Sequence, residues 1–124
     1  MASILVLDDV LDSGVMIERI LARKGHAVHV FTDEDEALRF AGENPPDLAI
    51  IDRKLRKMEG VDVLAELRRL WPGTRAIILT GYPTAESARR AFGQGAVAYC
   101  VKPIEKAELE AAVAEALRAD AAPE

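Results

Sequence analysis

A chain of 124 residues, half of them apolar and 30% charged, has the size and composition of one globular domain with a buried core. Its net charge of -5 and pI of about 5.1 argue against non-specific binding to nucleic acid or to an anionic membrane. A single cysteine, Cys100, excludes an internal disulfide and a cysteine-rich zinc site.

The first apolar run, residues 4–7, predicts a strand that ends in two adjacent acids, Asp8 and Asp9. The opening MASILVLDD lacks a basic leader and turns acidic at once, so it does not read as a signal peptide. Val15, Ile17, Ile20 and Leu21 then give a first helix its apolar stripe, with Asp12 or Ser13 as its cap and Gly25 as its C-terminal stop. The second run, 27–31, contains His29 and suits an edge strand. Asp33 followed by Glu36 opens a second helix in the manner of a capping box, and Pro45-Pro46 closes it.

The third run, 48–51, is continuously apolar and leads into Asp52. Val61, Val63, Leu64, Leu67 and Leu70 mark a third helix that stops at Pro72-Gly73, with Trp71 capping the core. The fourth run, 76–79, ends at Thr80, and a fourth helix covers 85–94 with Gly95 after it. The fifth run, 97–101, ends at Lys102, and Leu109, Val113 and Leu117 define a fifth helix rich in Ala, Glu and Leu. Residues 1–120 are read as one domain and 121–124 as a frayed tail. The apolar runs are too short to span a bilayer, so no membrane insertion is expected, and one cysteine suits a reducing cytoplasm.

Five strand–helix units in this order predict a doubly wound α/β fold with helices on both faces of a parallel sheet. Such sheets bind ligands beyond the carboxyl ends of their strands. Four of those ends are polar here: Asp8-Asp9, Asp52, Thr80 and Lys102.

Two families place an acidic pair after a first apolar run. LDDVLDSG resembles the pyrophosphoryl-ribose loop of type I phosphoribosyltransferases, in which two acids precede a small-residue turn. In that family much of the domain precedes this strand, whereas three residues precede it here. The second resemblance takes in almost the whole chain. LAIID with Gly60 eight residues after Asp52, AIILTG, and SARRAFGQGAVAYCVKP together resemble the receiver domain of two-component response regulators. That resemblance implies a flavodoxin-like (βα)5 fold with strand order 2-1-3-4-5. It implies that Asp52 accepts a phosphoryl group from a histidine kinase or a histidine phosphotransfer domain, with Lys102 and Thr80 assisting and Thr80 and Tyr99 switching conformation. It implies Mg²⁺, with Mn²⁺ as a substitute, held by Asp9, Asp52 and the Lys54 carbonyl, with Asp8 acting through water. A cis peptide before Pro103 is expected on the same ground, as are self-catalysed loss of the phosphoryl group, tuning of its lifetime at Lys54 and Tyr82, and an effector or dimer contact through the face built by the fourth helix, fifth strand and fifth helix. Direct nucleic-acid binding is not implied. A receiver serving only as an unphosphorylated docking platform is the third possibility, but no acidic or lysine site residue is lost here.

The segment RKLRKMEG after Asp52 departs from the receiver pattern. Receivers usually carry proline where Arg56 stands, and Arg53, Lys54, Arg56 and Lys57 put four bases in five positions. They are read either as a solvated loop balancing an acidic cleft or as a rim that attracts a phosphorylated donor. The simpler roles are a helix cap for Asp12, packing for Cys100, a turn and an edge strand for His26 and His29, and a solvated face for Arg89 and Arg90.

Overall fold

Strands and helices alternate from end to end in the computed structural model, which describes residues 2–118. They are β1 (Ser3–Leu7), α1 (Leu11–Ala22), β2 (Ala27–Phe31), α2 (Glu34–Glu43), β3 (Leu48–Asp52), α3 (Gly60–Leu70), β4 (Arg75–Thr80), α4 (Ala85–Gly93), β5 (Ala98–Val101) and α5 (Lys106–Arg118). All neighbouring strands are parallel, in the order β2-β1-β3-β4-β5. This is the doubly wound, flavodoxin-like arrangement expected from the sequence. The tail expected at 121–124 lies outside the described residues.

The continuous apolar runs are explained by burial on both faces. Side chains alternate across a strand, and here each set meets a different group of helices. Leu5, Leu7, Ala49, Ile51, Ala76 and Ile78 pack with Ala37 and Ala41 of α2, Val63, Leu64 and Leu67 of α3, and Ala91 of α4. Ile4, Val6, Leu48, Ile50, Ile77 and Leu79 pack on the other face with Ile17 and Leu21 of α1 and Leu109, Val113 and Ala116 of α5. Each fully buried Leu or Ile contributes about 1.5–3 kcal/mol. As expected for an edge strand, β2 leaves His29 exposed and has no fully buried residue.

Local signals set most helix ends. Asp33 accepts from the Glu36 N–H, as its capping position predicts. Gly25 takes φ 88°, while the His26 N–H reaches back to the Leu21 carbonyl and closes α1. Two expectations fail. The N-cap of α1 is Val10, with no side-chain cap bond, and Asp12 and Ser13 lie inside the first turn. Asp8, not Asp12, supplies a carboxylate here, accepting from the Val10 N–H at 2.9 Å. Leu70 is also 39% exposed, because α3 ends there and Trp71 takes over the contact with the neighbouring helix. The Trp71 indole N–H donates to the Ala41 carbonyl at the end of α2 at 2.7 Å.

Candidate functional site

Strand register decides which residues meet. Leu7 lies beside Ile51, Asp52 beside Leu79, and Thr80 beside Val101. The residues at or just past these positions therefore share one edge of the sheet. Asp8, Asp9, Asp52, Thr80 and Lys102 all converge there, as the polar strand ends predict.

Asp8 is 2% exposed. A carboxylate this deeply buried is costly unless it is paired and hydrogen-bonded. One of its oxygens takes the Val10 N–H, and the other lies 2.9 Å from the Lys102 ammonium. The same ammonium lies 3.3 Å from Asp52. One oxygen each from Asp8, Asp9 and Asp52 fall within 4.8 Å of one another. Three carboxylates this close repel unless a cation lies among them, and their hard oxygen donors suit Mg²⁺ or Mn²⁺.

The electrostatics reflect one ammonium serving two acids. Burial pushes the Asp52 carboxyl above its ordinary value. Lys102 pulls it back, but the Asp8 charge pushes it up again, and the net direction is up. For Lys102, burial works against the charged form, yet the hydrogen bond to Asp8 and the charges of Asp52 and Asp8 hold the ammonium above its ordinary value. The pair therefore keeps Lys102 charged without fully relieving Asp52.

Lys102 is fixed by its backbone as well. Its N–H donates to the Thr80 carbonyl at 2.7 Å, and the Lys102–Pro103 peptide is cis, as expected. Thr80 is buried, and its hydroxyl accepts from the Tyr82 N–H at 3.0 Å, which leaves its own hydrogen free to donate. The Tyr82 ring is 76% exposed. Tyr99 is half-buried on β5 and packs against the core. Its hydroxyl is bonded to the Ser87 hydroxyl, and Ser87 in turn donates to the Thr84 carbonyl, so Tyr99 is the donor in that pair. Ser87 is a contact that sequence reasoning missed. The Thr84–Ser87 spacing signals a helix cap, which forms, but nothing local signals the tyrosine.

The loop from 53 to 59 leaves β3 directly after Asp52 and closes on itself. The Gly60 N–H bonds the Arg53 carbonyl, and Lys54 bridges to Glu59. Gly60 is required for this return, since a Cβ there would lie 2.3 Å from the Asp52 carbonyl oxygen. The basic cluster divides into two kinds. Arg53 pairs with Glu59 at 3.7 Å, and Lys57 pairs with Asp33 and Asp35 at 3.2 and 2.7 Å. Lys54 and Arg56 are exposed. Cys100 is half-buried, and burial pushes its thiol up, in keeping with a packing role. No helix among the described residues is long and apolar enough to cross a membrane.

Known proteins with this arrangement are numerous. A family model described as the response regulator receiver domain matches residues 4–114. The transcriptional regulatory protein ZraR of Escherichia coli K12 is 31% identical over 114 residues, which cover 92% of this chain and 26% of ZraR. The chain thus spans about a quarter of that relative's length. A CheY-like receiver domain protein from Methanospirillum hungatei has TM-score 0.90 at 31% identity, with 94% of each chain covered. A response regulator from Burkholderia pseudomallei, solved with a phosphorylated aspartic acid, a calcium ion and citrate, has TM-score 0.84 at 33% identity, covering 95% of this chain and 67% of that one.

Proposed function

The chain belongs to the response regulator receiver domain family, and from that premise we propose that residues 1–120 form a phosphorylation-controlled signalling module in which Asp52 is the phosphoacceptor. The observation that carries this is the Lys102 ammonium set between Asp8 and Asp52, with Asp9 in the same cluster, at the carboxyl edge of a parallel sheet. The phosphorylated aspartic acid in the similar Burkholderia regulator supports it. A phosphoribosyltransferase is left without support, since the receiver match runs through the acidic pair and on to residue 114.

The donor is a phosphohistidine of a histidine kinase or phosphotransfer domain. An Asp52 oxygen attacks phosphorus, the new O–P bond forms, and the N–P bond breaks with its electron pair leaving on the imidazole nitrogen. Phosphoryl transfer demands chiefly alignment and charge neutralisation. Lys102 already lies 3.3 Å from Asp52 and neutralises one side of the incoming group. Thr80 donates its hydroxyl hydrogen to a phosphoryl oxygen. Asp9, Asp52 and the Lys54 carbonyl would hold Mg²⁺ or Mn²⁺, with Asp8 acting through water, and the ion would supply charge neutralisation on the other side. Asp8 keeps Lys102 in place meanwhile.

When Thr80 turns to the phosphoryl group, its contact with the Tyr82 N–H changes and the environment of Tyr99 changes with it. Tyr99 then carries the signal to the face formed by α4, β5 and α5, where an effector or a second copy binds. Hydrolysis of the acylphosphate at the same site resets the module, at a rate tuned by Lys54 and Tyr82. The module works in a reducing cytoplasm, the setting that its single cysteine suits.

The decisive experiment is phosphate incorporation from a small phosphodonor in the presence of Mg²⁺, comparing the protein with Asp52→Asn. Incorporation should be lost in the variant, and the modified peptide of the parent should contain Asp52. Equal incorporation, or modification mapped to Asp8 or Asp9, refutes the assignment.

A further inference from the structure

Glu34 opens α2, outside the acidic cluster, yet it is 1% exposed. A carboxylate so buried needs compensating donors. Lys57 lies close by, but its ammonium goes to Asp33 and Asp35 instead. The Glu34 carboxylate takes two backbone groups, the N–H of Lys57 at 2.6 Å and that of Met58 at 3.2 Å. Both bonds end on the same oxygen, Oε2.

These two amides form the tip of the loop that leaves Asp52. The loop closes on itself below the tip, through Gly60 to Arg53 and through the Lys54–Glu59 bridge. Its tip has no proline to restrain it, since Arg56 stands there with a free φ and an exposed side chain. Leu55 and Met58 pack inward on the core cluster. Glu34 therefore ties to a rigid helix the segment that contains Lys54, the residue whose carbonyl the proposed cation seat uses.

We propose that Glu34 is a positioning residue for the phosphoacceptor site: its buried carboxylate clamps the tip of the 53–59 loop and thereby fixes the Lys54 carbonyl. The inference rests on the function proposed above and deepens it. It assigns to Glu34 a structural grip on backbone amides, with no part in charge neutralisation at the site.

That distinction sets the test. Because one oxygen accepts both bonds, the amide oxygen of Glu34→Gln can replace it without the charge. Glu34→Asp keeps the charge but withdraws the oxygen by one methylene. Two readouts are needed: amide hydrogen exchange of residues 53–60 in the chelated protein, and Mn²⁺ affinity by electron paramagnetic resonance. Glu34→Asp and Glu34→Ala should speed exchange at Lys57, Met58 and Gly60. They should weaken Mn²⁺ binding about tenfold, the low end of the roughly 10–100-fold range for groups that orient a metal's ligands. Glu34→Gln should resemble the parent in both readouts. Lys57→Ala, which keeps the backbone N–H, should leave Mn²⁺ affinity unchanged. If Glu34→Ala does not fold, the contrast between Gln and Asp decides alone. Faster exchange with unchanged Mn²⁺ affinity overturns the proposal and leaves Glu34 a fold element. Glu34→Gln losing affinity while Glu34→Asp behaves like the parent overturns it in favour of charge. Glu34→Gln as impaired as Glu34→Asp overturns it as well, since the oxygen alone would then not suffice. Failure of the underlying function is distinguished by Asp9→Ala, which would then bind Mn²⁺ like the parent.

Discussion

Replacing Lys102 by methionine removes the ammonium that Asp8 and Asp52 share while retaining most of its aliphatic stem. Breaking a buried ion pair from one side costs about 3–5 kcal/mol. The Lys102 side chain is 25% exposed, so water screens part of the effect, and the expected loss at pH 7 is about 2–3 kcal/mol. Protonation sets a ceiling on that loss. Without Lys102, one carboxyl of the cluster can take up a proton, at a cost of about 1.4 kcal/mol for each pH unit above an unfolded aspartate value near 3.9, or about 4 kcal/mol at pH 7 and about 1.5 at pH 5. Asp52 is already raised in the parent. Its folded form therefore binds the proton more readily, which favours folding at acid pH and is lost as pH rises through the raised value. The assay is urea unfolding followed by circular dichroism, with chelator present, at both pH values. The deficit of Lys102→Met should shrink from about 2–3 kcal/mol at pH 7 to at most about 1.5 at pH 5. On the alkaline side Lys102 itself is raised. Its stabilising contribution is present in full below its ordinary value and lost only as pH climbs through the raised one. An equal deficit at pH 5 and pH 7 would show that Lys102 acts by packing its stem, and the electrostatic account would be wrong.

Asp9→Ala should lose Mg²⁺ binding in a calorimetric titration while the chelated protein stays folded, because removing one carboxylate relieves repulsion among the rest; unchanged affinity removes Asp9 from the cation seat. Lys54→Ala should shed its phosphoryl group faster, since a long cation at the mouth of the site can pair with a phosphoryl oxygen, but screening limits the electrostatic part to roughly fivefold. An equal or slower rate, measured at low and high salt, assigns the exposed bases to partner binding or solubility. Gly60→Ala should cost about 1–3 kcal/mol of stability, because its Cβ cannot clear the Asp52 carbonyl. A urea midpoint like the parent's would mean that the loop can withdraw without strain.

The three central strands, β1, β3 and β4, were legible because burial on both faces demands uninterrupted apolar runs, and the run ending in Asp52 is almost entirely buried. Asp33 and Gly25 were legible because a cap and a left-handed stop are local problems with few residue solutions. The site residues were legible as strand ends, since parallel topology carries every strand's carboxyl end to one edge. The failures share a different cause. Asp12 and Ser13 satisfy the same local rule as a true cap, but the chain turns into α1 two residues earlier, where Asp8 meets the Val10 N–H. Ser87 and Glu34 act on partners 12 and 23 residues away. Neither contact has a period or a spacing, and each exists only after the sheet has placed its neighbours.

The anchoring of Trp71 has a practical consequence for all of these measurements. The helix that carries it begins beside Asp52 and runs away from it for 11 residues, about 16 Å. The indole, tied to the end of α2, is thus a fluorophore at the pole opposite the chemistry, and it is the sole tryptophan of the chain. Its emission will follow global unfolding faithfully and stay silent when a cation or a phosphoryl group arrives at the other end. Ligand titrations need a second probe, and Tyr82, with its ring in solvent two residues after Thr80, marks the place to install one.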